Sequence, residues 1–468
     1  MDTLNSETAT DSAVCSTFAK AAPDFSRQML DLDEDEDLEV FSKDTTLTDG
    51  SSFNASMPTS PSSMINQYKF EEEPDTKDIF ITVDCPESHV TAIETFITYK
   101  ISTKTTRSEF DSCEYEVRRR YQDFLWLKGK LEEKYPTLII HPLPEKFIVK
   151  GMMERFNEDF IETRRKALHR FLNKIADHPL LSCDEDFKFF LTAQAEELTS
   201  HKKQGPSILS RVGETVRAVA ASVRGVKNRP EEFTAIGDYV ETFSQKMIVL
   251  DKITQRISKE QKEYLEEMKE YGPVYMLWSG SEVELGDSLK DMANCIDKCC
   301  RETEEQVNAL SENVVPVLHE YVLCAETLKA VLRRRDNIQA EYEAKNDALA
   351  NKKSDRDSLK DSDLSFVFGG FLGKNPEEAK QQKQQKLDGE IEELKEDIEK
   401  LEDKVECANS AFKVDWERWL KSMQGDLKAT FLNMADTNIN YYEKCLAIWE
   451  SFLISQKNEL SVENGRDE

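Results

Sequence analysis

The chain has 468 residues, 39% of them hydrophobic, and carries 62 Lys+Arg against 91 Asp+Glu for a formal charge of −29. That length predicts two or three domains, the 33% charged fraction leans toward exposed helix, and the acidity excludes nucleic acid as a partner unless basic residues are gathered locally. No apolar run reaches the roughly 18 residues that span a bilayer, the first residues lack a secretion signal's form, and ten dispersed cysteines make no extracellular disulfide framework, so a cytosolic protein with reduced thiols is expected.

Residues 1–75 hold 17 Asp+Glu against 4 Lys+Arg and show no lasting periodicity, so a disordered acidic tail is expected. Met29-Leu30-Asp31-Leu32-Asp33 resembles an adaptor-binding acidic box and Ser60-Pro61 a phosphosite, both patterns common by chance. Ile79–Val83, Phe96–Ile101 and Tyr115–Val117 read as three strands of a small antiparallel sheet. Period-two geometry puts Arg118 and Arg120 on one face and Arg119 on the other, so at most two of the three meet a ligand. Helical stripes follow at Phe124, Leu125, Leu127 and Leu131, and at Phe160, Ala167, Leu168, Phe171, Leu172 and Ile175, completing an α+β domain over 76–197. From Arg118 to Arg170 the balance is 13 basic to 8 acidic residues, so a basic surface is embedded in an acidic protein.

Arg119-Arg120-Tyr121-x-x-Phe124 at a strand-to-helix junction, then Pro142-Leu143-Pro144-x-Lys146, then Phe160-Ile161-Glu162-x-Arg164-Arg165-x-x-Leu168 resemble, in order, the PX domain of sorting nexins. The resemblance implies that Arg120 binds the 3-phosphate of phosphatidylinositol 3-phosphate and that Tyr121 stacks on the inositol ring. It likewise gives Lys146 the 1-phosphate and Arg164 the 4- and 5-hydroxyls. The chemistry agrees, because an arginine fork fixes a pair of phosphate oxygens. Arg119 and Arg165 are expected in structural ion pairs or general membrane attraction. The apolar stretch with Ile148, Val149, Met152 and Met153 either dips into the bilayer, as such loops do in this family, or packs on the domain's own core.

Between 204 and 229, Ile208, Val212, Val216, Val219, Val223 and Val226 recur at spacings of 4, 4, 3, 4 and 3, a basic amphipathic helix suited to a headgroup plane or to interdomain packing. Pro230-Glu231-Glu232 starts a helical region expected over 230–456, with a break at Gly272-Pro273, a second helix from near Ser281 past Asp336 kinked at Pro316, and a loop at 366–373. Leu387, Ile391, Leu394, Ile398, Leu401, Val405, Ala408 and Phe412 form a heptad seam on a helix of about 70 residues, roughly 105 Å. A flexible end is expected over 457–468.

Three long helices after a PX-like domain resemble a BAR domain, which implies an elongated curved dimer, homodimeric or paired with another PX-BAR sorting nexin. Lys329, Arg333, Arg334, Arg335, Lys345, Lys352, Lys353, Arg356, Lys380, Lys383 and Lys386 are candidates for its membrane face, or else members of i,i+4 ion pairs. No catalytic, cofactor or metal motif stands out: the Gly369–Lys374 phosphate-loop pattern lacks its first glycine, and Cys295, Cys299 and Cys300 read as core thiols. The resemblance therefore implies a non-enzymatic, peripheral protein on the cytosolic face of early or recycling endosomes, in protein sorting and possibly autophagy. The alternatives are a coiled-coil scaffold whose basic patch binds proteins, or an enzyme without a recognised motif.

Overall fold

The computed structural model describes residues 77–90, 95–145, 158–203, 225–361 and 376–464. The expected acidic tail, the loop with Ile148 to Met153, the stripe from Ile208 to Val223 and the loop at 366–373 lie outside the described residues.

Three antiparallel strands, β1 (Ile79–Val90), β2 (Thr95–Thr105) and β3 (Glu114–Arg120), pair in the order β1-β2-β3. Ile79, Ile81 and Val83 alternate inward on β1, while Phe80, Thr82 and Asp84 face solvent, and the buried face meets α1 (Tyr121–Lys134) and α2 (Glu158–Ala176). A bulge between Asp84 and Glu87 puts Cys85 at a φ of 45°. Helix α1 starts where the Asp123 carboxylate accepts the Arg120 N–H at 2.7 Å, and stops before Tyr135, which Pro136 holds out of the helical region at ψ 67°. The short α3 (Glu185–Thr192) is capped by Asp184, and α4 (Ala195–Lys203) packs back through Leu198 and through Lys202 on Asp123.

The helical region comprises α5 (Glu231–Lys269), α6 (Tyr271–Ser279), α7 (Gly286–Asn313), α8 (Val315–Asp361) and α9 (Pro376–Asn464). The first break falls at Glu270, and Gly272 lies inside α6, where a Cβ would come within 2.1 Å of Asp297 Oδ1. Between α7 and α8, Val314 still donates to the Leu310 carbonyl and accepts from Leu318 N, so helical bonding runs across the break and Pro316 does not stop it. The last helix has 89 residues, about 134 Å at 1.5 Å each, longer than its seam alone predicts; the expected flexible end is helical through Asn464. Seam residues Leu387, Ile391, Ala408 and Phe412 are buried, whereas Leu394, Ile398, Leu401 and Val405 are half-buried. Residues 225–230 are non-helical, with Gly225 at a φ of 63°. Arg229 pairs with Asp336 and Lys227 with Asp347 of α8.

The two domains share their cores. The stretch Pro136–Leu143 is buried, with Ile139 packed among Val331, Phe412 and Trp416 of the helical region. Cys407 and Ala411 of α9 pack in turn into the α+β core. Asp415 of α9, fully buried, accepts from Ile139 N at 2.6 Å, His178 Nε2 at 3.0 Å and Arg418 Nη2 at 2.6 Å. His178 Nδ1 accepts from Leu180 N and Leu181 N, which fixes the tautomer with the proton on Nε2. Lys166, Arg170 and Lys174, one row along α2, pair with Glu312, Glu320 and Asp426.

Candidate functional site, the basic cleft at the strand-to-helix junction

The three arginines of β3 take three different roles. Arg119 is 1% exposed, and among the described residues no carboxylate hydrogen-bonds to it: its guanidinium donates to the Phe190 carbonyl at 2.6 Å and the Ala193 carbonyl at 2.5 Å. It thus neutralises the negative end of α3, a correction to the ion pair expected for it. Burial lowers its pKa to about 10, with Asp123 opposing. Arg118 is spent on the β1 bulge, through Thr98 Oγ1 at 3.0 Å, the Cys85 carbonyl at 2.7 Å and Glu87 at 3.0 Å. Arg120 is exposed, and its guanidinium lies 3.3 Å from the centroid of Phe96 on the neighbouring strand, whose ring also stacks with His89 at 5.2 Å. An aromatic face under a guanidinium orients the fork without using its donors.

Tyr121 and Arg164 come together. The Arg164 guanidinium lies 4.5 Å from the Tyr121 ring and 4.3 Å from the Phe160 ring, so two aromatic rings hold it. Its Nη2 donates to the Glu145 carbonyl at 3.0 Å, and the Tyr121 hydroxyl donates to the Pro144 carbonyl. Burial pushes the Tyr121 phenol up to about 12, against the pull of Arg164, so it stays a neutral donor. These bonds tether the end of the Pro142-Leu143-Pro144 segment to α1 and α2 at the residue before Lys146. Lys146 itself, with Ile148, Val149, Met152 and Met153, lies outside the described residues, as do Ile208, Val212, Val216, Val219 and Val223.

Arg165 is structural, bound to both Glu162 oxygens at 2.6 and 2.7 Å and to the Val83 carbonyl at 2.6 Å. What remains, Arg120 over Phe96 and Arg164 between Tyr121 and Phe160, suits a multiply hydroxylated, phosphorylated ring: planar donors beside an aromatic wall. Phe96 and Phe160 escaped the sequence reading as site residues. Phe96 had a detectable signal, since pairing β2 to β3 puts Thr98 opposite Arg120 and leaves Phe96 just beyond it on the same face.

The proposed membrane-face cations divide. Arg334 and Arg335 are buried, Arg334 donating to the Pro136 carbonyl at 2.8 Å and Arg335 to Asn409 at 2.7 Å, so neither can face a bilayer. Lys329, Lys345, Lys352 and Arg356 sit in ion pairs with Glu241, Asp397, Glu390 and Asp388. Cys295 and Cys300 are buried core thiols, and burial pushes the half-buried Cys299 up to about 12. Among the described residues, no cluster of His, Cys, Asp and Glu could hold a metal, and no helix is long and apolar enough to cross a membrane.

Residues 107–194 match the family model of the PX domain and residues 208–455 that of the Vps5 C-terminal-like region. The sequence is 63% identical to human sorting nexin-7 over 410 residues, 88% of this chain and 97% of that protein. It is 45% identical to human sorting nexin-30 over 422 residues, 89% of this chain and 88% of that one. In structure it matches a chain of the SNX-BAR Mvp1 tetramer solved by cryo-EM at a TM-score of 0.59 and 18% identity, covering 80% of this chain and 99% of the other, a likeness of fold.

Proposed function

The chain belongs to the sorting nexins that join a PX domain to a Vps5-like helical region, non-enzymatic adaptors of membrane-associated endosomal sorting, and from that membership we propose that its cleft binds phosphatidylinositol 3-phosphate. The observation that carries the reading is the Arg164 guanidinium held between Tyr121 and Phe160, with the residue before Tyr121, Arg120, supported by Phe96. In it, Arg120 takes the 3-phosphate, Tyr121 walls the ring, Lys146 takes the 1-phosphate and Arg164 the free hydroxyls. Ile148, Val149, Met152 and Met153 enter the bilayer beside the headgroup, and the stripe of Ile208, Val212, Val216, Val219 and Val223 lies along its surface.

The helical region dimerises, with a second copy or another sorting nexin of this architecture. Large apolar side chains stand exposed on α5, α6 and α9, among them Ile253, Leu277, Trp278, Leu432, Leu446 and Leu453, with Leu277 82% exposed. That much uncovered apolar surface supports a partner helix face. Two pockets on one dimer multiply weak single contacts, which suits recognition of lipid identity and curvature together on early or recycling endosomes, in sorting and autophagy.

Flotation of the full chain with liposomes tests the reading. Vesicles holding phosphatidylinositol 3-phosphate should carry the protein up, vesicles with phosphatidylinositol alone should not, and Arg120→Ala should abolish the difference. A pure protein scaffold would float equally poorly on both, and that result refutes the proposal.

A further inference from the structure

One ion-pair chain crosses from the headgroup cleft to the helical region. The carbonyls of Pro144 and Glu145 are the groups that Tyr121 Oη and Arg164 Nη2 bind, so this dipeptide is the frame on which both cleft side chains rest. The Glu145 carboxylate lies 3.8 Å from Nε2 of His319 on α8, and Nδ1 of the same ring is 3.0 Å from Asp251 of α5. An imidazole with a carboxylate facing each nitrogen is held as the cation, donating from Nδ1 to Asp251 and pairing by charge with Glu145 at Nε2. The hydrogen bond to Asp251, with the Glu145 carboxylate beyond it, pushes the His319 pKa up to about 10. Asp251 is itself buried and fixed by Gln255 Nε2 at 2.8 Å, so the far anchor is rigid. Released from His319, the Glu145 carboxylate would be an anion one residue from Lys146 and close to Arg164, a competitor for the cations a phosphate needs.

We propose that His319, in the helical region, is a positioning residue for the inositol-phosphate cleft: by holding Glu145 it keeps the loop carbonyls on Tyr121 and Arg164 and the carboxylate off the binding cations. The inference rests on the headgroup reading above and extends it across the domain boundary. A positioning role of this kind makes headgroup affinity a property of both domains.

Calorimetric titration of the full chain with dibutanoyl phosphatidylinositol 3-phosphate tests it. His319→Gln should weaken binding about fivefold, equivalent to about 1 kcal/mol, and His319→Arg, which keeps a cation between the carboxylates, should restore it. Made on top of Glu145→Gln, the His319→Gln change should have no further effect, because no carboxylate is left to hold. Equal affinity of His319→Gln and wild type, or the same loss in both backgrounds, overturns the positioning role while leaving the cleft intact. Failure of the wild type to bind overturns the headgroup reading and the inference with it. Without lipid, amide exchange at Glu145 should quicken in His319→Gln and not in His319→Arg; no change in either also counts against it.

Discussion

Asp415→Asn tests the interdomain contact most sharply. Oδ1 of Asp415 takes His178 Nε2 and Arg418, while Oδ2 takes the Ile139 amide, so both oxygens face only donors. An asparagine has one oxygen, and in either orientation its NH2 group meets an N–H head-on. The substitution therefore removes charge-assisted bonds worth about 1.5–3 kcal/mol each and strands at least one buried donor, a total of about 3–5 kcal/mol. The loss should register in chemical denaturation, and native-state exchange at the Ile139 amide should rise by about two to four orders of magnitude. The exposed neighbour substitution Lys413→Ala, on the same helix, removes one surface pair to Glu232 and should cost well under about 1 kcal/mol. If Asp415→Asn cost no more than Lys413→Ala and left Ile139 protected, the argument that this carboxylate fastens the two domains would be refuted.

Arg119→Ala should destabilise the α+β domain by about 3 kcal/mol, because the Phe190 and Ala193 carbonyls lose their donor in a buried place; a melt followed by tryptophan fluorescence reads it. Phe96→Ala should weaken headgroup binding by about two- to tenfold, the range of one cation–π contact, with unchanged sheet content by circular dichroism. The pH profile of stability should fall on both sides of neutrality. His319 is raised from 6.5 to about 10, so its contribution is complete below pH 6.5 and disappears as pH climbs through 10; His319→Gln should flatten that alkaline limb. Glu320, between His141 and Arg170, is lowered from 4.5 to about 2 despite its burial, so its contribution holds above pH 4.5 and vanishes as pH drops through 2.

Local pattern carried the elements well. Alternation on β1, the stripes of α1 and α2 and the 4-3 seam of α9 are each set by neighbours a few residues apart, and the fold keeps them. The split among Arg118, Arg119 and Arg120 followed from the pleat, and Tyr121 meets Arg164. The domain contact escaped because its partners, such as Ile139 and Asp415 or His141 and Glu320, are 276 and 179 positions apart and leave no periodic trace. One trace did exist: Lys166, Arg170 and Lys174 repeat every fourth residue, a charged row that an amphipathic helix needs only if an acidic surface lies against it. Arg334 and Arg335 misled for the same reason, since a cation on a long helix reads as solvated until another domain is laid over it.

The exchange of side chains between the two cores bears on how such proteins are usually dissected. A truncation ending at residue 203 would leave Ile139 bare, deprive His178 of its acceptor, and open a void where Cys407 and Ala411 of α9 had filled the α+β core. Such an excised fragment would be stickier and looser than the same residues in place, and any affinity measured on it would describe that fragment alone.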